Sequence, residues 1–172
     1  TFLGRITMQK GCEYFVEAAA KVLERTDNVR FIMAGSGDMM DAMIRLAAER
    51  NISDRFHFTG FMKGQQVYEV FKASDVYVMP SVSEPFGISP LEAMQCGVPS
   101  IISYQSGCAE ILDYAVKVDY WDIDAMADAI YALITYPEMH AFLKEEGLRE
   151  VNNITWEAAG RKVRAIYDRY VR

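Results

Sequence analysis

The segment from Pro80 to Met94 carries residue types whose order suits the binding of an anion. It reads as the end of a strand, an extended stretch and then the opening of a helix. Ser89 and Pro90 are typical of a helix start, where free backbone N–H groups and the helix dipole favour negative charge. Gly87 has no side chain, so a ligand can approach the backbone closely at this point. The segment therefore predicts an anion seat between a strand and a helix.

The same residues fit a simpler alternative. Ser89-Pro90-Leu91-Glu92 matches a capping box, in which the Glu92 carboxylate only satisfies backbone donors at the helix N-terminus. Spacing alone does not decide between a helix cap and a ligand site, and both interpretations stay open.

A second loop, Gly4–Gly11, contains two cations, Arg5 and Lys10. Because this loop follows the first predicted strand, both side chains are expected over the same crevice as the anion seat. Two cations beside a helix N-terminus suit a diphosphate, with arginine as a planar fork and lysine as a point charge. The alternative is a pair of solvated surface cations, and this loop alone does not exclude it.

The elements that position these loops alternate between short apolar strands and amphipathic helices, which is typical of parallel βα units. We predict strands over Thr1–Leu3, Val29–Ala34, Arg55–Phe58, Val76–Met79, Pro99–Ser103 and Ala115–Val118. Predicted helices cover Cys12–Arg25, Asp38–Arg50, Gln65–Lys72, Ser89–Cys96, Ile123–Thr135, Pro137–Val151 and Thr155–Tyr170. The expected fold class is α/β: a doubly wound, Rossmann-like parallel sheet with a helical C-terminal tail. Ligands of such sheets bind beyond the carboxyl ends of the strands, where both loops lie.

Composition narrows the classes of partner. The 172 residues fit a single domain, and a net charge of -6 with interleaved acids and bases argues against a nucleic-acid partner. The longest apolar runs are too short to span a bilayer, so we expect no transmembrane segment. Cys12, Cys96 and Cys108 lack metal-ligand spacing, which favours reduced thiols in a cytoplasmic protein. Because the sequence opens on the strand-like Thr1–Leu3 without an initiator Met, we expect a missing part upstream.

Together these segments are similar to the C-terminal domain of GT-B glycosyltransferases. The residues that carry the resemblance are Gly4-Arg5…Lys10-Gly11, then Glu84-Pro85-Phe86-Gly87-Ile88-Ser89-Pro90-Leu91-Glu92-Ala93-Met94…Gly97-Val98-Pro99, and Gly107-Cys108-Ala109-Glu110-Ile111. The retaining family 4 is the group it resembles most, since its mark is a Glu, seven residues and a second Glu, here Glu84 and Glu92. The resemblance runs from Thr1 to about Tyr170. The stretch Leu112–Val118 is shorter than in the family and lacks its glycine, which leaves the shape of that loop open.

The resemblance implies roles for the matching positions. Arg5 and Lys10 would hold the diphosphate of a nucleotide-sugar donor and stabilise charge on the leaving group. Glu84 would contact hydroxyls of the transferred sugar, and Glu92 would bind the ribose hydroxyls. The positions implied to bind the donor are Arg5, Lys10, Phe61, Met62, Glu84, Phe86, Gly87, Ile88, Ser89 and Glu92, with Phe61 and Met62 bordering the base. Catalytic roles fall to Glu84, Arg5 and Lys10, and no metal or further cofactor is implied.

The implied function is retaining transfer of a sugar from a UDP-, ADP- or GDP-sugar to an acceptor, as in polysaccharide biosynthesis. The chain would be the donor-binding domain, residues 1–172, with the N-terminal acceptor domain absent and the isolated domain inactive. The acceptor, a glycan or a lipid-linked molecule, is not identified, and the full-length enzyme is expected in the cytoplasm, either free or peripheral to a membrane. Two alternatives stay open: a nucleotide-sugar-binding module without turnover, and a GT-B-like nucleotide-sugar epimerase.

Other motifs are interpreted as structural. Asp122-Ile123-Asp124 resembles a metal-binding Asp-x-Asp, but its place at a helix start favours capping. Gly35-Ser36-Gly37 lacks the third glycine of a dinucleotide fingerprint and is expected to form a tight turn at the edge of the diphosphate site. His57 and His140 have no metal-ligand partner in the sequence pattern. Glu84 and Glu92 are not expected to act as a glycosidase pair, because prolines and a phosphate seat lie between them.

Overall fold

A computed structural model describes residues 1–170 of the chain. Its strands are β1 (Phe2–Leu3), β2 (Phe31–Ala34), β3 (Phe56–Gly60), β4 (Tyr77–Met79), β5 (Ser100–Ser103) and β6 (Val116–Val118). Its helices are α1 (Cys12–Leu23), α2 (Met40–Glu49), α3 (Gln65–Lys72), α4 (Ser89–Gln95), α5 (Ile123–Thr135), α6 (Pro137–Asn153) and α7 (Trp156–Tyr170). Short 3-10 helices cover Met8–Lys10, Ser53–Arg55 and Gly107–Glu110. Each predicted strand and helix is present; the bounds of α3 and α5 match the prediction, and the other elements have one or both ends shifted by one or two residues.

The strands form two parallel three-stranded sheets, in the orders β1-β2-β3 and β4-β5-β6. Backbone hydrogen bonds of Thr1 join the two: its amino group donates to the Val76 carbonyl at 2.7 Å, and its carbonyl accepts from the Val78 N–H at 2.8 Å. The combined order is β3-β2-β1-β4-β5-β6, which reverses between β1 and β4. This is the doubly wound arrangement, so the predicted fold class is confirmed, and the reversal marks where such sheets bind ligands.

Helices cover both faces of the sheet, and alternate residues of the strands divide between them. Val76 and Val78 pack in one apolar cluster with α1, α2 and α5, whereas Tyr77 and Met79 pack in a second cluster with α3, α4 and α6. Ile101 and Ile102 of β5 divide in the same way. This period of two on strands buried from both sides accounts for their nearly continuous apolar sequences.

The last helix, α7, differs from the others because none of its residues is buried. Trp156 at its start is 90% exposed. The core is therefore formed by the strands and by helices α1 to α6.

Within residues 1–170, no helix combines the length and the apolar character that crossing a membrane requires.

Candidate functional site

The loops after β1 and β4, far apart in the sequence, are joined at the point where the strand order reverses. The Gln9 carbonyl accepts a hydrogen bond from the Val82 N–H, and the Gln9 side-chain amide donates to the Ser83 carbonyl, both at 2.9 Å. Next to these two hydrogen bonds of Gln9, the Lys10 ammonium contacts the Glu84 carboxylate as an ion pair. The structure thus brings together one predicted cation and one predicted sugar contact. The sequence pattern singled out Lys10 and Glu84 but not Gln9, which holds their loops together.

Close approach of these two loops depends on Gly11. Its φ of 66° is in the left-handed region, and a Cβ placed there would lie 1.9 Å from the carbonyl oxygen of Pro80. A side chain would force the loops apart, because such a contact is far shorter than van der Waals distance. Gly11 therefore permits the approach that brings Lys10 to Glu84.

The loop after β5 fixes the backbone of Glu84 from the other side. The Glu84 N–H donates to the Gln105 carbonyl at 3.2 Å, and the Glu84 carbonyl accepts from the Gly107 N–H at 2.9 Å. The residue after Gly107, Cys108, donates its N–H to the Phe86 carbonyl at 2.7 Å. The backbone of Glu84 is thereby held at the centre of three loops, while its side chain pairs with Lys10.

Arg5 lies in a cleft with the residues predicted to border a base. The cleft has a volume of about 410 Å³ and is formed by the ends of β1, β2 and β3 with the loops that follow them. Its lining residues are Leu3, Gly4, Arg5, Ala34, Gly35, Ser36, Phe61 and Met62. Gly35 packs against the Arg5 loop, since a Cβ there would lie 1.8 Å from the Gly4 carbonyl oxygen. Arg5, Phe61 and Met62 are therefore neighbours, and Gly35-Ser36-Gly37 forms the turn at their edge.

The capping box, one of the two alternatives left open for Ser89 and Glu92, is not formed at α4. Ser89 is the first residue of the helix rather than its cap, and no side chain caps this end. The Ser89 hydroxyl instead pairs with the Tyr77 hydroxyl at 2.8 Å. Within residues 1–170, the Glu92 carboxylate, half-buried in the first turn, makes neither a hydrogen bond nor an ion pair. Because the Glu92 carboxylate accepts no backbone hydrogen bond at this end of the helix, the capping alternative for Glu92 is wrong.

Backbone donors are free where α4 begins. In the described part of the chain, the N–H groups of Gly87, Ile88 and Ser89 donate to no protein acceptor. Gly87 has a φ of 93°, and its Cα faces the side chains of Met79 and Glu84, so a Cβ would lie 2.9 Å from the Met79 Cε atom. The predicted anion seat thus has unpaired donors beside the Glu84 side chain.

One buried hydroxyl group, of Tyr77, and one buried thiol group, of Cys108, lie beneath the site. Burial raises the pKa of the Tyr77 hydroxyl, which keeps it protonated and able to donate to Ser89. Burial also raises the pKa of the Cys108 thiol to about 11, and the nearby negative charge of Glu84 adds to this shift. Neither group is poised to ionise near neutral pH. Tyr77 supports the site from below, and its apolar context gave no signal of this role in the sequence.

The motifs interpreted as structural have structural partners. Asp122 caps α5, its carboxylate accepting from the Ala125 N–H at 2.9 Å, and Asp124 forms an ion pair with Lys21. The His140 ring bonds the Asp75 carbonyl at 2.9 Å, and His57 is exposed on β3. Residues 1–170 contain no group of three or more His, Cys, Asp or Glu side chains arranged to hold a metal.

A larger cavity of about 810 Å³ lies at the opposite edge of the sheet, lined by Thr1, Asp75 and His140 among others. It contains none of the predicted site residues and faces the amino ends of the strands. Since doubly wound sheets bind ligands at the carboxyl ends, the smaller cleft beside Arg5 is the better candidate.

Comparisons with known proteins agree with this assignment of fold. A family model described as glycosyl transferases group 1 matches residues 1–150. An uncharacterized glycosyltransferase of Methanocaldococcus jannaschii is 44% identical over 116 residues, which make up 67% of this chain and 30% of that protein. A sucrose-phosphate synthase from Thermosynechococcus elongatus matches with a TM-score of 0.81 at 28% identity, over 98% of this chain and 44% of that one. Anabaena HepE in complex with UDP and glucose matches with a TM-score of 0.81 at 20% identity, over 94% and 47%. The chain therefore spans between 30% and 47% of the length of these proteins.

Proposed function

Because the chain belongs to the glycosyl transferases group 1 family and has the fold of the C-terminal domain of GT-B glycosyltransferases, we propose that it binds a nucleoside-diphosphate sugar for transfer to an acceptor. One observation carries the proposal: a cation and a carboxylate of separate loops, Lys10 and Glu84, meet where the strand order reverses. A site that combines positive charge, free backbone donors and a carboxylate suits a diphosphate joined to a sugar.

The donor is proposed to lie along the cleft in a defined order. The base occupies the cleft between Phe61 and Met62, and the ribose hydroxyls bond to the Glu92 carboxylate. The diphosphate lies against Arg5, Lys10 and the N–H groups of Gly87, Ile88 and Ser89, with Phe86 at its edge. The transferred sugar then reaches Glu84. Glu92 supports this order because it has no partner within residues 1–170 and therefore keeps its hydrogen-bonding capacity for a ligand.

The proposed chemistry is departure of the diphosphate while the anomeric carbon gains positive character. Arg5 and Lys10 stabilise the charge that grows on the leaving group by electrostatic attraction, and Lys10 acts more strongly than it would in water because its side chain is sheltered from solvent. We propose retention of configuration, as in family 4, and a role in polysaccharide assembly. The solved relative that binds UDP and glucose supports a nucleoside diphosphate as the leaving group.

Acceptor recognition is proposed to lie in a separate domain, so that these residues form a donor-binding unit that is inactive alone. The proteins matched above are longer than this chain, which supports such a division. A GT-B-like epimerase would instead isomerise free donor without any acceptor, and an assay of the full-length enzyme separates the two, since a transferase requires an acceptor and an epimerase does not.

Screening by thermal shift tests the proposal most directly. UDP-, ADP- and GDP-sugars are compared at increasing concentration, since a ligand that binds only the folded state raises the melting temperature. Stabilisation by one nucleotide class is expected. If none of the three classes stabilised the chain, the proposed function would be wrong.

Calorimetry on two variants then tests the diphosphate contacts. Arg5→Ala and Lys10→Ala should each weaken binding of the selected nucleotide sugar by about 1.5–3 kcal/mol, the value of a hydrogen bond to a charged group. Arg5 is exposed and makes no ion pair within residues 1–170, so its removal should leave stability unchanged. Lys63→Ala, an exposed lysine in the loop after β3, is the matched control and should bind normally.

A further inference from the structure

The Lys10–Glu84 ion pair is sheltered from solvent on both sides. The Lys10 side chain is 21% exposed and the Glu84 side chain 13% exposed. Within the part of the chain that the structure describes, neither side chain makes another hydrogen bond or ion pair. Each group therefore depends on the other for its partner when no ligand is bound.

The backbones on both sides of this pair are fixed, so it can open by side-chain rotation alone. Lys10 ends a 3-10 helix that is closed by the Gly11 N–H bonding to the Met8 carbonyl. Glu84 is held by backbone bonds to Gln105 and Gly107. A change of partner at either side chain thus requires no movement of the loops.

This arrangement has a consequence for a ligand that carries a diphosphate. A phosphate brought to the Lys10 ammonium would face the negative charge of Glu84 directly beside it, and like charges at this range repel. Lys10 can give its full charge to the phosphate only when the Glu84 carboxylate turns to another donor. Hydroxyl groups of a sugar are such donors, and a bare nucleoside diphosphate has none at that position.

We propose that the Lys10–Glu84 pair makes the site distinguish an intact nucleotide sugar from the nucleoside diphosphate left after transfer. The inference rests on the proposed function and adds a mechanism for release of product. With the sugar present, Glu84 bonds to its hydroxyls and Lys10 moves to the diphosphate. Once the sugar has left, Glu84 regains Lys10, and the diphosphate keeps only Arg5 and the backbone donors.

The proposal predicts that Glu84→Gln increases the affinity for UDP, whereas the simple loss of a ligand contact would not increase it. Glu84→Gln keeps the shape of the side chain but releases Lys10. UDP should then bind about two- to fivefold more tightly, the range for an ion pair near a protein surface. The affinity for UDP-glucose should not increase, because the variant also loses a carboxylate that accepts hydrogen bonds from the sugar hydroxyls. ADP or GDP and their glucose adducts replace these probes if the thermal-shift screen selects them.

A double-mutant cycle separates this mechanism from simple removal of a negative charge near phosphate. In the Lys10→Gln background, Glu84→Gln should leave UDP affinity unchanged, because no ammonium remains to be released. Glu110→Gln removes an exposed carboxylate from the neighbouring 3-10 helix and serves as the charge control, with no expected gain. Thermal unfolding of each variant checks that it folds.

The outcomes are distinct. An unchanged or weaker affinity of Glu84→Gln for UDP overturns the inference and leaves the proposed function standing. An equal gain in both Lys10 backgrounds also overturns it, since Glu84 would then act through its own charge. If the unmodified chain bound none of the UDP-, ADP- and GDP-sugars, the proposed function would fail together with the inference.

Discussion

The hydroxyl of Tyr77 lies 2.8 Å from the Ser89 hydroxyl oxygen and 3.2 Å from the Leu3 carbonyl oxygen. Tyr77 is fully buried in β4, Leu3 ends β1 and Ser89 begins α4. One side chain thus links the strand before the Arg5 loop to the helix that follows the anion seat. This hydroxyl therefore helps to fix the positions of the two halves of the site relative to each other.

Removal of this hydroxyl by Tyr77→Phe should lower the free energy of unfolding by about 1 kcal/mol, since a buried partner is left unpaired. Urea denaturation measures the change. Tyr68→Phe is the matched control, because Tyr68 is 43% exposed and its loss of a hydroxyl should have no effect. Equal stability of the two variants would show that the Tyr77 hydroxyl does not support the site.

Gly11 gives a second prediction, for which the chain supplies its own control. Gly11 and Gly60 have similar φ values, 66° and 73°, but a Cβ at Gly60 would meet no atom within 4 Å. Both alanine variants carry the cost of the left-handed conformation, whereas only Gly11→Ala collides with Pro80. We expect Gly11→Ala to be less stable than Gly60→Ala by at least about 2 kcal/mol, as for overpacking of a tight site.

Denaturant titration of both variants checks this difference. Nucleotide binding adds a second readout, because separation of the two loops should also part Lys10 from Glu84. A Gly11→Ala variant as stable as Gly60→Ala would show that the loops yield without cost.

Glu92 is predicted to act on a ligand and not on its helix. Since its carboxylate makes no capping bond, Glu92→Gln should change the free energy of unfolding by less than about 0.5 kcal/mol, as for an ordinary surface substitution. Its effect should appear in the choice between ribose and deoxyribose. The unmodified chain should prefer UDP to 2′-deoxy-UDP, and the variant should lose most of that preference.

Competition calorimetry with the two nucleotides measures this preference. Gln95→Ala, an exposed substitution at the end of the same helix, is the control and should keep it. A Glu92→Gln variant that was clearly less stable but had an unchanged preference would return Glu92 to a structural role.

Local sequence patterns predicted much of this fold, because the elements are set by short-range rules. The bounds of α3 and α5 match the prediction, and α5 starts where Asp122 caps it. The predicted strand at Val29 instead begins at Phe31, since pairing with β3 starts at Phe56. Strand ends depend on the neighbouring strand, and periodicity within one segment does not contain that information.

Contacts across the site were less predictable for a related reason. The partner of Ser89 is Tyr77, and a local capping rule cannot anticipate a hydroxyl from a neighbouring strand. Lys10 and Glu84 were each singled out for a ligand, yet their mutual contact spans 74 positions in sequence. The residue types indicated the chemistry, whereas packing determined which side chains are paired before a ligand arrives.

The three cysteines give a prediction about reactivity and pH. Burial raises the pKa of Cys12 and of Cys108 from 9.0 to about 11 each, and it also raises the pKa of Cys96, which is only partly buried. Thiolate is the reactive form, so at pH 8 Ellman's reagent should modify Cys96 first and the other two only on unfolding. Cys96→Ser should abolish the early phase alone, and an early phase that survived in this variant would contradict the burial of the other thiols.

The same pKa shifts predict how stability depends on pH. In the unfolded chain the two buried thiols ionise near pH 9, whereas in the folded chain they keep their protons until about pH 11. Between these values the unfolded state binds fewer protons, so the free energy of unfolding falls as pH rises. Each thiol contributes a slope of up to about 1.4 kcal/mol per pH unit. Urea titrations of the unmodified chain and of Cys108→Ala between pH 8 and 11 measure it, and the variant should show the shallower decline.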